Sequence, residues 1–89
     1  MDCIAITVSG KVQGVFYRAS LRAKAMDLSL SGIVMNRPDG TVYAEVEGLP
    51  GDIDLLIQWC ERGPEEAIVY KVETKPVKPK YYFGFEIKR

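Results

Sequence analysis

The stretch SGIVMNRPDGTVYAEVEG, residues 31–48, reads as two extended runs folded about a tight turn. Runs 33–36 and 41–47 flank Pro38, Asp39 and Gly40, where proline fixes one backbone dihedral and glycine accepts a positive φ. In the second run Val42, Ala44 and Val46 alternate with Tyr43, Glu45 and Glu47, which predicts one covered face and one wet face. By the same parity Val34 and Asn36 share a face. A hairpin therefore occupies the middle of the chain.

Upstream of it, Ile4, Ile6 and Val8 alternate with Cys3, Ala5 and Thr7, the period of a strand. Tyr17, Leu21, Ala25 and Leu28 then recur at helical spacing and stack on one face. Downstream, Ile53, Leu56, Ile57 and Cys60 fall at i, i+3, i+4 and i+7 of a second helix. Asp52 and Asp54 lie near its positive end, and Gly63 and Pro64 close it. Runs 68–74 and 81–87 read as two more strands, separated by KPVKPK, whose prolines exclude regular structure. Alternation sends Tyr81, Phe83, Phe85 and Ile87 to one face, expected in the core. The order β, α, β, β, α, β, with a fifth strand at an edge, predicts an α+β fold. It is the ferredoxin-like split βαβ sandwich: an antiparallel sheet covered on one face by two helices, with the first and third strands side by side at its centre. That plan hosts many unrelated functions, so the chemistry must be sought in particular residues.

At 89 residues and 47% hydrophobic content, the chain suits one domain, 1–89. Twelve basic residues balance twelve acidic ones, so net charge points to neither nucleic acid nor an anionic membrane. The amino-terminal MDCIAITVSG alternates and carries an early acid, and no apolar run approaches the ~20 residues of a membrane span, so a cytoplasmic protein is expected. Cys3 and Cys60, the two cysteines, are expected to be buried free thiols. There is no histidine, and the sequence offers no metal cluster.

Residues 10–18, GKVQGVFYR, lead from the first strand straight into the first helix. A glycine-bounded loop at a helix start directs successive N–H groups inward, and the helix dipole adds positive potential, which suits a phosphate-sized anion. Arg18, at the first turn, brings a planar fork of donors to the same place. The same composition also fits an ordinary strand-to-helix turn carrying a solvated arginine.

The chain resembles the acylphosphatases. Gly10, Val12, Gln13, Gly14, Val15, Tyr17 and Arg18 match the family's loop, and Gly32, Val34, Asn36, Gly40, Val42 and Gly48 match its second motif, in the same order and spacing. The resemblance implies a metal-free, cofactor-free hydrolase that cleaves an acyl phosphate into a carboxylate and inorganic phosphate. It further implies that Arg18 and the loop amides of Gln13, Gly14, Val15, Phe16, Tyr17 and Arg18 hold the phosphoryl group, and that Asn36 holds the attacking water. The sequence departs from the family pattern in a few places: Ile33 stands where an aromatic residue is common, Ser29 where a glycine often ends the first helix, and Phe16 and Tyr17 replace other aromatic pairings.

Such a reaction has a good carboxylate leaving group and needs no general acid, in keeping with a chain without histidine; it needs positioning and charge stabilisation. Plainer readings stand beside these roles. Asn36 also fits a turn former beside Pro38 and Gly40, Lys11 a solvated charge, and Gln13 an amide donor whose side chain takes no part. An RNA-binding module of the same fold needs stacking aromatics and basic surroundings, whereas the run 41–47 carries one tyrosine and two glutamates. A non-catalytic small-anion-binding domain is the stronger alternative. The expected partner is a small-molecule acyl phosphate, with no nucleic acid or membrane, and the expected state is a monomer.

Overall fold

The computed structural model describes residues 1–89. The amino-terminal alternation forms β1, Asp2–Lys11, which outlasts the apolar pattern because pairing with a neighbouring strand continues through its last residues. It is followed by α1 (Tyr17–Asp27), β2 (Ser31–Asn36), β3 (Val42–Gly48), α2 (Pro50–Cys60), β4 (Ile68–Pro76) and β5 (Phe85–Lys88). The strands form one sheet in the order β4-β1-β3-β2-β5. β1 lies between β3 and β4, and β3 between β1 and β2, all antiparallel, so the expected ferredoxin-like sandwich is present with β1 and β3 adjacent. β5 differs from the antiparallel expectation. It joins the edge beside β2 in parallel, because the chain leaves β4 at the opposite edge, crosses the whole sheet and turns back. At the shift between Ser9 and Gly10, which pair with Lys71 and Val69, Tyr70 is an extra residue bulged out of β4; a Cβ on Gly10, at φ +133, would collide with the Ile68 carbonyl oxygen. Gly10 therefore serves the close approach of β4, while the turn of the following loop falls to Gly14.

Both helices pack on one face of the sheet. Ile6, Val8, Val34, Val42, Ala44 and Val46 meet Tyr17, Leu21, Ala25, Ile53, Leu56 and Cys60 in a single buried cluster, as the two periodicities require. Tyr17 is the largest fully buried side chain. Its ring tilts against Trp59 at 5.4 Å between centroids, and its hydroxyl donates to the Cys60 carbonyl at 2.7 Å, so the polar end is satisfied. Cys3 and Cys60 are buried and free. α1 closes with a pair of reversed bonds, Leu30 N–H to Ala25 O at 2.9 Å and Ser29 N–H to Met26 O at 3.0 Å.

The opposite face overturns two expectations. Glu45 and Glu47 are not wet: they are 9% and 1% exposed. Residues 77–84 form a strap over them, running from the β4 edge to the β5 edge. Val77 N–H donates to Cys3 O at 3.0 Å, the N–H groups of Lys80, Tyr81 and Tyr82 all donate to the Glu47 carboxylate, and Gly32 N–H reaches Gly84 O at 2.9 Å. Glu45 accepts from Lys80 Nζ, Tyr82 Oη and Tyr43 Oη, each at 2.6 Å. The aromatic alternation of 81–87 is likewise not a strand throughout. Tyr81 and Phe83 are 77% and 96% exposed, and of the four residues expected in the core only Phe85 is fully buried, with Ile87 packed against the core and half-buried. One carboxylate collecting three consecutive N–H groups bends the backbone, with Tyr81 at φ 57, and no ladder forms before Phe85.

Candidate active site

The turn into α1 is built from two left-handed residues, Gly14 at φ 76 and Phe16 at φ 63. Between them Val15 drops its side chain into the core, as Val12 does on the other side of the turn, and these two anchors fix the loop's shape. The first helical bond in the region is Ser20 N–H to Phe16 O at 3.0 Å, and no N–H from Val12 to Ala19 donates to a backbone acceptor. Those groups are the orphan donors of a helix start extended by a turn, a concave array with partial positive charge.

Gly14, Phe16, Tyr17 and Arg18 share a cavity of about 300 Å³ with Asn36. Arg18 is half-buried, and none of the chain's three ion pairs involves it. Asn36 is the last residue of β2 and pairs with Val42. The turn-former reading of Asn36 does not hold, because the turn closes without it: Arg37 N–H donates to Thr41 O, Gly40 N–H to Arg37 O, and the Asp39 carboxylate accepts from both Thr41 N–H and Thr41 Oγ1. The Oδ1 of Asn36 is instead buried with no hydrogen-bond partner, the one such side-chain atom in the chain.

The remaining expected residues are placed differently. Gln13 and Val15 do not line the cavity, Val15 because its side chain is core and Gln13 because its side-chain amide is bound to the hairpin. Tyr17 contributes no titrating group: burial first, and then Cys60, push its phenol far above the ordinary range. Val12 and Ala19 flank the loop in the wall, and Ile87 and Arg89, which sequence reasoning missed, complete it from the far end of the chain. Parallel pairing sets Ile87 beside Val34 and Lys88 beside Met35, so Arg89 comes level with Asn36. Only the direction of β5 carries that information. Nowhere do three His, Cys, Asp or Glu side chains converge to hold a metal ion.

Fold and site together define a small ferredoxin-like sandwich with a pocket between a strand-to-helix loop and the end of the neighbouring β2 strand. The family model for acylphosphatase matches residues 4–87. An acylphosphatase of Acaryochloris marina is 47% identical over 87 residues, covering 98% of this chain and 94% of its own. The solved acylphosphatase structure from Coxiella burnetii superposes with a TM-score of 0.95 at 40% identity, over 98% of this chain and 92% of that one. That from Bacillus subtilis gives 0.97 at 27% identity over the whole of both. The chain belongs to the acylphosphatase family.

Proposed function

We propose that this acyl phosphate hydrolase holds the phosphoryl group of its substrate against the N–H groups of Gln13 to Arg18 and the Arg18 guanidinium, while Asn36 orients the attacking water. The observation that carries the reading is that Asn36 lines the same cavity as Arg18, with its Oδ1 engaged by no protein donor. Water attacks phosphorus, the P–O bond to the acyl oxygen breaks, and the electron pair leaves on a carboxylate, which needs no protonation. The water's protons pass to the phosphate product and solvent. The loop amides and the guanidinium offset charge on the phosphoryl oxygens, and the neutral carboxamide adds no repulsion. Buried free thiols fit a reducing, cytoplasmic setting.

The test is hydrolysis of benzoyl phosphate with inorganic phosphate as inhibitor. Arg18→Ala abolishes most turnover and weakens phosphate inhibition roughly ten- to a hundredfold, the loss of a charge-assisted contact of about 1.5–3 kcal/mol. Arg18→Lys does little better, since an ammonium lacks the fork. Asn36→Ala loses turnover by ~100-fold or more while phosphate still inhibits at nearly its original concentration. A folded Asn36→Ala with full activity, or with phosphate binding as weak as in Arg18→Ala, rules out the water role.

A further inference from the structure

Gln13 stands in the anion loop but spends its side chain elsewhere. Its Nε2 donates to Arg37 O at 2.8 Å and to Thr41 O at 2.9 Å. With two carbonyl acceptors the orientation of the carboxamide is determined, because only the NH₂ end has two hydrogens to give. Neither carbonyl depends on it: Arg37 O already accepts from Gly40 N–H at 3.1 Å, and Thr41 O from Arg37 N–H at 2.9 Å. The hairpin turn is closed without Gln13. The loop is also shaped without it, since Val12 and Val15 are buried on either side. What the two bonds add is the separation between loop and hairpin. Asn36 immediately precedes Arg37, so a fork gripping Arg37 and Thr41 fixes where Asn36 stands relative to Arg18.

We propose that Gln13 is a positioning residue for the hydrolysis, whose side-chain amide sets the Asn36-bound water in line with a phosphoryl group held by the loop. This rests on the assignment of the water to Asn36. A misplacement of about 1 Å at a reacting centre costs on the order of a hundredfold in rate, so a brace that defines one distance has leverage on turnover without touching substrate.

The experiment is a double-mutant cycle in benzoyl phosphate hydrolysis, using Gln13→Met, Asn36→Ala and the pair, each checked by circular dichroism and thermal melting. Gln13→Met keeps the length and apolar stem and removes both donors. It is expected to lower kcat about tenfold while KM and the phosphate inhibition constant stay within about twofold, because Arg18 and the loop amides remain in place. In the Asn36→Ala background the same change costs less than about twofold, since the group being positioned is gone. Gln13→Asn, which retains an amide one methylene too short, gives the same pattern if Gln13→Met does not fold. The proposal is overturned by wild-type kcat in these variants, by losses that multiply in full with Asn36→Ala, or by phosphate inhibition weakening as much as kcat falls. Full activity in Asn36→Ala alone defeats the water assignment itself, whatever Gln13 does.

Discussion

Ser29 closes α1 in the left-handed region, φ 58, at the position where helices of this ending favour glycine. A side chain there costs about 1–2 kcal/mol, against which glycine would lose part through its freer unfolded chain. Ser29→Gly is therefore expected to stabilise the protein by about 0.5–1 kcal/mol, raising the melting temperature by roughly 3–6 °C. An unchanged or lower melting temperature contradicts the strain argument. The departure at Ser29 was visible in the sequence, but its cost was not, because φ is a property of the folded turn. The two proposed site residues differ in the same way. Arg18's place at the loop and helix start was legible, since loop, helix start and guanidinium are neighbours in the chain. Asn36 was ambiguous, because a β2 terminus facing that loop and a turn former look alike until Asp39 is seen to close the turn.

Among the elements, the hairpin and both helices were legible from their periods, since each buries one face against a common core. The strap 77–84 was not, because what shapes it lies far off in sequence: Glu47 on β3 collects three of its N–H groups, and no local pattern announces a carboxylate as the partner. Burial alone would raise the Glu47 carboxyl, but the N–H groups of Lys80, Tyr82 and Tyr81 outweigh it and hold the group below its ordinary value. Glu47→Ala leaves those donors without an acceptor over a buried site, and is expected to cost about 2–4 kcal/mol by urea denaturation. Because the strap delivers β5, amide exchange at Phe85–Lys88 should quicken in the same variant. A Glu47→Ala protein within about 0.5 kcal/mol of wild type shows the strap to be held by something else.

For the molecule as a whole, the buried carboxylates set the pH range of stability. Burial raises the Glu45 carboxyl, but hydrogen bonds from Lys80, Tyr43 and Tyr82 outweigh it and bring it down to about 2, from an ordinary 4.5. A lowered pKa contributes stability that is fully present above 4.5 and is lost as pH falls toward 2. On the alkaline side burial first, then Glu45, raises the Tyr43 phenol from 10 to about 12, a contribution present below 10 and lost as pH climbs through 12. Burial likewise raises the Cys3 and Cys60 thiols, from 9 to about 11 and about 12, so their contribution is lost from pH 9 upward. Urea midpoints should hold level between pH 4.5 and 9 and fall at both ends, with the acid slope flattened in Glu45→Gln. A wild-type acid slope in that variant removes Glu45 as its source. The open edge at β4 has a separate consequence. Its outer row of N–H and C=O groups is a template for intermolecular pairing, and this strand is otherwise long, with Ile68 and Tyr70 exposed. Lys71, Glu73 and Lys75 alternate along it, Pro76 ends it and the bulge opposite Gly10 distorts it, so a second copy that docked there would meet charge, a missing donor and a bent ladder. The glycine opposite the bulge, which fits β4 onto β1, thus also helps keep chains from adding edge to edge into fibres.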